Sequence, residues 1–137
     1  MSDITFIETT EVDRSLLLEL YNDAGWSAYT KDINKLENAI KASLYVRIAI
    51  KDEKLIGLIR VIGDGLTIIY IQDILVLEKF RRMKIGTMLI TKTLQKFKDV
   101  RQKVLLTDDN TNTRLFYESL GFDSCEKLGL VSFIKFE

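Results

Sequence analysis

The chain has 137 residues, a length that fits one domain and leaves no room for a second, so we expect a single domain over residues 1–137. Apolar residues make up 47% and charged residues 29%, the balance of a globular protein and not of a disordered or membrane-embedded chain. Lys plus Arg and Asp plus Glu number 20 each, so no overall positive field attracts nucleic acid or an anionic membrane, and we expect neither as a partner.

The first half of the chain predicts a strand, two helices and a hairpin. The start, MSDITFIETTEVD, lacks the basic and apolar regions of a signal peptide, so we expect a cytoplasmic protein. A short strand is expected over residues 4–8. Asp13 and Asp32 are placed to begin two helices, and Gly25 to end the first. Strands are expected over 44–50 and 55–62, joined by the polar four-residue tip 51–54.

The second half begins with a long apolar run over 67–77, which we expect to be the central strand because both of its faces are hydrophobic. Ile90, Leu94 and Phe97 then share one helical face. A strand over 104–107, a helix ended by Gly121 and a final strand over 131–136 complete the order βααβββαβαβ. This order predicts a mixed α/β layered structure without repeats or linkers.

Two residue types constrain the chemistry by their scarcity. The sequence has no histidine, which excludes Ser-His-Asp and Cys-His catalysis and the HExxH zinc site, and we expect no metal. Cys125 is the only cysteine, so no intrachain disulfide can form, and we expect its thiol simply to pack. Catalysis must therefore use carboxylates, tyrosine, lysine or backbone dipoles.

The most informative segment is the basic loop between the apolar run and the following helix. The start of a helix directs unpaired N–H groups at one point, where a phosphate is favoured. The residues of this turn are Arg81, Arg82, Met83, Lys84, Ile85, Gly86 and Thr87. Taken alone, the turn is equally consistent with a solvated charged connection.

Residues 81–86 resemble the Arg/Gln-x-x-Gly-x-Gly/Ala turn of the GNAT (Gcn5-related) N-acetyltransferases, with Lys84 in place of the first glycine. Residues 110–122, NTNTRLFYESLGF, resemble the family's Asn-x-x-Ala-x-x-x-Tyr-x-x-x-Gly-Phe element, with Thr113 in place of alanine. Both elements occur in the family's order, and the resemblance covers essentially the whole chain. It implies an α/β (α+β mixed sheet) fold with splayed middle strands flanked by helices.

The resemblance implies acetyl transfer from acetyl-CoA to an amine. The pantetheine arm would lie along the backbone of Ile74, Leu75 and Val76, the N–H of Val76 would polarise the carbonyl, and the turn at 81–87 would hold the pyrophosphate. Asn110 and Tyr117 would also face the coenzyme, with Tyr117 as the acid that protonates the departing thiolate. By spacing alone, a core aromatic would be the favoured interpretation of Tyr117, and the resemblance reverses that order.

The residues for the acceptor amine are less defined. Asp73, or a water held by Gln72, is a candidate to take the amine proton, and a buried partner for Arg60 or Arg47 is the alternative. Trp26 and Tyr29 are candidates for an aromatic wall of the acceptor site, or else a hydrophobic plug. A small-molecule or peptide amine would be the substrate, and the apolar edge of the final strand predicts a homodimer. The alternative function is a non-catalytic CoA-binding or interaction module on the same scaffold.

Overall fold

The computed structural model describes residues 3–137 and divides into two compact units, one ending at Leu105 and one over 106–137. The first unit holds the strands β1 (Thr5–Glu8), β2 (Tyr45–Lys51), β3 (Lys54–Gly63), β4 (Ile68–Val76) and β5 (Gln102–Leu105). Its helices are α1 (Arg14–Asp23), α2 (Ser27–Thr30), α3 (Ile33–Ala42) and α4 (Ile85–Lys96). The second unit holds α5 (Thr111–Ser119). Whether the chain is one domain stays a prediction.

The strands form one mixed sheet in the order β1-β2-β3-β4-β5. The first four strands are antiparallel neighbours, and β5 is parallel to β4. The predicted mixed α/β architecture is therefore confirmed. The middle strand, however, is β3 and not the expected run at 67–77, which forms β4 beside it. The interior of β3 is buried on both faces from Leu55 to Val61.

Helices α1 and α3 begin where the sequence predicts. The Asp13 carboxylate accepts from the N–H of Leu16 at 3.1 Å, and Asp32 accepts from Lys35 at 3.2 Å. Leu17, Leu20 and Tyr21 on α1 are fully buried against the sheet. Among residues 3–137 no helix is both long and apolar enough to cross a membrane. Helix α2, a single turn, lies between the two helices that the sequence predicts.

Two connections differ from the prediction by a few residues. The β2–β3 hairpin turns through Asp52 and Glu53 alone, both at positive φ (51° and 64°), while Lys51 and Lys54 already pair as strand residues. A two-residue turn of this kind follows the right-handed twist of its strands. Strand β5 begins at Gln102 and ends at Leu105, two residues earlier than expected.

The predicted final strand over 131–136 is wrong, because residues 130–137 form neither helix nor strand. A strand-forming sequence becomes a strand only when a neighbouring chain segment takes its backbone hydrogen bonds. The expectation that Cys125 packs is also wrong. Its side chain is exposed, on the short 3₁₀ helix Cys125–Leu128.

Candidate functional site

Strands β4 and β5 separate halfway along β4. They pair from Ile68 opposite Gln102 to Ile71 opposite Leu105, and there β5 ends. Strand β4 continues to Val76, still paired with β3 on its other side. Within residues 3–105, the second half of β4 therefore has a strand neighbour on one side only.

Backbone direction decides which groups of β4 point to this open side. The N–H of Leu77 donates to the carbonyl of Ile56 in β3 at 2.9 Å. Because backbone groups alternate in direction along a strand, the N–H and C=O of Leu75 also point toward β3. The N–H and C=O of Ile74 and Val76 point away from it. The backbone groups of Ile74 and Val76 are therefore available for the expected contact with the pantetheine arm. Those of Leu75 are directed into the pairing with β3.

A bulge lies just before this stretch. Arg60 pairs with Asp73, but the next residue of β3, Val61, pairs with Ile71, so Gln72 has no partner in β3. The side chain of Gln72 is exposed. An extra residue of this kind bends a strand and redirects its side chains. The bulge thus gives β4 a bend at the start of its open half.

The turn that follows β4 is fixed at its beginning. The N–H of Glu78 donates to the Asp23 carboxylate at the end of α1, at 2.8 Å. The Nε of Arg81 donates back to the carbonyl of Val76 at 3.2 Å. Arg82, Met83 and Lys84 are exposed. The charged end of the turn thus lies at the surface beside the end of β4.

Lys84 adopts the left-handed conformation, with φ 59° and ψ 26°, at the junction between the 3₁₀ helix Glu78–Met83 and α4. Glycine adopts this conformation without steric cost, which gives a backbone reason for the glycine of the family motif at this position. No side chain caps α4, whose first hydrogen bond runs from Met88 to the carbonyl of Lys84. The preceding N–H groups, of residues 85–87, are thus the unpaired donors of a helix start.

The position of this helix start depends on Gly57, which the sequence analysis did not single out. Ile85, the first residue of α4, is 1% exposed. A Cβ atom on Gly57 would lie 2.9 Å from the Cγ2 of Ile85, which is closer than carbon atoms pack. Glycine in β3 therefore allows α4 to begin directly against the sheet. A glycine inside a strand pattern is the signal that indicates such an approach.

Asp73 lies in a buried network and is 2% exposed. Its carboxylate accepts from Arg60 Nε at 2.7 Å, from the Tyr21 hydroxyl at 3.0 Å and from the Tyr29 hydroxyl at 2.9 Å. Burial, followed by the charge of Asp73, raises the pKa values of Tyr21 and Tyr29. These contacts make Asp73 a buried partner of Arg60. Arg47, the other partner considered, pairs with Glu8 instead.

The two aromatic residues predicted for the acceptor site, Trp26 and Tyr29, have different surroundings. The Trp26 ring lies edge-on to Tyr21, with centroids 5.9 Å apart, as in a hydrophobic plug. The hydroxyl of Tyr29, which is half-buried, also accepts from the exposed amide of Gln72 at 3.3 Å. Tyr29 therefore connects the buried carboxylate of Asp73 to the surface at the bulge.

Asn110 and Tyr117 lie in the second unit. The side-chain oxygen of Asn110 accepts from the N–H of Thr113 at 2.8 Å and so caps α5. Tyr117 is half-buried and packs edge-on against Phe122, with centroids 5.8 Å apart. Burial raises the pKa of Tyr117, so its hydroxyl keeps its proton at neutral pH.

Comparison with known proteins agrees with these features. Solved structures with the same fold include a GNAT-family acetyltransferase from Streptococcus pneumoniae TIGR4, with 29% identity, 98% of each chain covered and a TM-score of 0.86. A protein of unknown function from meticillin-resistant Staphylococcus aureus matches with 25% identity, 99% and 100% coverage and a TM-score of 0.73. The aminoglycoside N-acetyltransferase AAC(6')-Iy in complex with CoA matches with 19% identity, 100% and 95% coverage and a TM-score of 0.73.

None of the curated protein sequences compared with the chain matches it. The family model of the GNAT acetyltransferases matches residues 10–122, which include the separated strands, the turn before α4 and helix α5. The chain therefore belongs to the acetyltransferase (GNAT) family.

Proposed function

We propose that this protein transfers an acetyl group from acetyl-CoA to a primary amine of a small molecule or peptide. The observation that supports this most is the path of β4. Its second half has an open side and leads, through a basic turn, to the uncapped start of α4. A strand edge and a helix start in succession suit a ligand with an amide-containing arm and a pyrophosphate.

In this proposal the pantetheine arm pairs with the backbone of Ile74 and Val76, as an added strand would. The N–H of Val76 is the donor for the thioester carbonyl, because a fixed backbone dipole stabilises the charge that develops on that oxygen. The pyrophosphate lies at the N–H groups of Ile85, Gly86 and Thr87. Arg82 and Lys84 add positive charge there, while Arg81 holds the end of β4.

The acceptor amine is proposed to approach at Gln72 and Tyr29, with Trp26 supporting the aromatic wall. Among the structural neighbours, an aminoglycoside acetyltransferase from an uncultured soil metagenomic sample is in complex with sisomicin, and AAC(6')-Iy is in complex with the bisubstrate analogue CoA-S-monomethyl-acetylneamine. Asp73 is too buried to contact the amine, so we assign it a role through Tyr29, whose hydroxyl it holds. The amine proton then passes to Tyr29 and Asp73 or to water.

The proposed chemical step needs one general acid. The neutral amine attacks the thioester carbonyl carbon, the C–S bond breaks, and the CoA thiolate takes a proton from Tyr117. The raised pKa of Tyr117 keeps that proton available. The lone thiol of Cys125 supports the proposed cytoplasmic location, since a reducing compartment maintains unpaired cysteines.

The test is release of CoA thiol from acetyl-CoA with a panel of primary amines, and mass spectrometry of each product. We expect one acetylated amine per thiol released, for at least one class of amine. Tyr117→Phe should bind acetyl-CoA normally and turn over slowly. Acetyl-CoA binding without turnover on any amine would favour the alternative, a non-catalytic CoA-binding module.

A further inference from the structure

The hydroxyl group of Tyr29 lies among three polar side chains. Its oxygen is 2.9 Å from Asp73 Oδ1, 3.3 Å from Arg60 Nη2 and 3.3 Å from the amide nitrogen of Gln72. Asp73 is ion-paired with Arg60, and an ionised carboxylate can only accept hydrogen bonds, whereas a guanidinium can only donate them. The single proton of the hydroxyl is therefore donated to Asp73, and the hydroxyl oxygen accepts from Arg60.

This arrangement determines the orientation of the Gln72 amide. One lone pair of the Tyr29 oxygen remains, and it can only accept. The amide of Gln72 must present its NH₂ group to Tyr29, because the opposite orientation would place two acceptor oxygens against each other. Its carbonyl oxygen is then free for another donor. Within residues 3–105 no group donates to that oxygen, and the Gln72 side chain is exposed.

We propose that the carbonyl oxygen of Gln72 binds an N–H of the acceptor amine, and that Tyr29 is the positioning residue that fixes this orientation. The inference rests on the proposed acetyl transfer and assigns an atom to its acceptor side. Gln72 is the extra residue of the β4 bulge, two residues before Ile74 at the open half of the strand. An amine that donates one N–H to Gln72 keeps its lone pair for attack on the thioester.

The same contacts leave Tyr29 no capacity to take a proton. Its one donor and both of its lone pairs are used, by Asp73, Arg60 and Gln72. Burial, followed by the charge of Asp73, raises the pKa of Tyr29, so the hydroxyl also keeps its own proton. Of the two routes proposed for the amine proton, transfer to water therefore remains. Tyr29 acts on the amine only through Gln72.

Nuclear magnetic resonance on the free full-length protein tests the orientation of the amide. We expect an Overhauser effect between the NH₂ protons of Gln72 and the ring protons of Tyr29, with one NH₂ proton shifted downfield by its hydrogen bond. Gln72→Ala identifies these signals by removing them, and Tyr29→Phe should abolish the downfield shift. The matched control is Tyr21→Phe, which removes the other tyrosine hydroxyl on Asp73 and should leave the Gln72 signals unchanged.

Steady-state kinetics with a panel of an alkylamine, a polyamine, an amino sugar and a peptide test the role in binding. Gln72→Ala should raise the KM for the amine about 2–12-fold, the worth of one neutral hydrogen bond, and leave the KM for acetyl-CoA unchanged. Because the bond is present before and during attack, kcat should change little. Tyr29→Phe should also raise the amine KM, but it should add nothing in the Gln72→Ala background.

Three results would each overturn the inference: no Overhauser effect between Gln72 and Tyr29 in the wild type, an unchanged amine KM in Gln72→Ala, or effects of the two substitutions that multiply. The first concerns the wild-type protein and the second an exposed residue, so they decide the question even if Tyr29→Phe fails to fold. These results leave the proposed acetyl transfer standing. Turnover on no amine of the panel would instead reject that function, and the inference with it.

Discussion

Arg60 and Asp73 are paired residues on β3 and β4, with 2.7 Å between Nε and Oδ2, and their side chains are 8% and 2% exposed. Removal of one member of a buried ion pair leaves the other charge unpaired, which typically costs about 3–5 kcal/mol. We therefore expect Asp73→Asn and Arg60→Met each to lower the free energy of unfolding by roughly 3 kcal/mol in urea denaturation.

A double variant distinguishes the contribution of the ion pair from an unspecific loss of stability at this site. Arg60→Met with Asp73→Asn removes both charges and keeps an acceptor for Tyr21 and Tyr29. Its loss of stability should be smaller than the sum of the two single losses, because residues in contact are coupled. Strict additivity would mean that the pair does not contribute as a unit.

Lys84→Gly should stabilise the fold. The left-handed conformation costs an ordinary residue on the order of 1 kcal/mol, part of which the higher chain entropy of unfolded glycine offsets. Lys84→Ala keeps the strain and is the matched control, with no gain expected in urea denaturation. Both variants remove the charge, so both should bind acetyl-CoA modestly less tightly and with a weaker salt dependence. Tighter binding by the glycine variant would mean that Lys84 obstructs the site.

Gly57→Ala should disturb the start of α4. The new methyl group would meet Ile85 at 2.9 Å, and overpacking of this kind costs about 1–3 kcal/mol. Because the helix start would be displaced, acetyl-CoA affinity, measured by calorimetry, should fall with stability. Gly25→Ala is a useful comparison, since its added methyl group would contact nothing within 4 Å although its φ of 77° adds strain. Lost stability with full acetyl-CoA affinity would show that Gly57 does not position the site.

Tyr117→Phe removes one oxygen and keeps the ring that packs against Phe122. General acid catalysis is typically worth about 10²–10⁴-fold, so kcat should fall on that scale while the Kd for acetyl-CoA stays nearly constant. The melting temperature serves as the control, and it should stay nearly constant because the ring and its packing are kept. Turnover at the wild-type rate would assign the thiolate proton to water or to the substrate ammonium.

The sequence predicts the interior strands and the main helices because their patterns are local. Asp13 and Asp32 cap helices within a few residues of themselves, and the motif residues after β4 follow one another along the chain. The sequence indicates Arg60 as one of two possible partners of Asp73. It does not predict the hydroxyl contacts of Tyr21 and Tyr29, because these residues reach Asp73 from separate helices, α1 and α2.

Residues 131–136 show a different limit of prediction from sequence. Their composition predicts a strand, yet pairing depends on a neighbour that sequence pattern does not specify. Gly57 illustrates a third case. One glycine in an apolar strand indicates a close approach, but it does not show that the start of a helix lies opposite until the packing of Ile85 is known.

The most direct test of the proposed acetyl-CoA site is amide hydrogen exchange of the wild-type protein with and without saturating acetyl-CoA. We predict slower exchange at Ile74 and Val76 and at the N–H groups of residues 85–87. Leu75, directed toward β3, should change little beyond the general gain in stability, which is about 2.7 kcal/mol at a hundred times the Kd. Exchange that is unchanged throughout the chain at saturating acetyl-CoA would contradict the proposed site on β4 and α4.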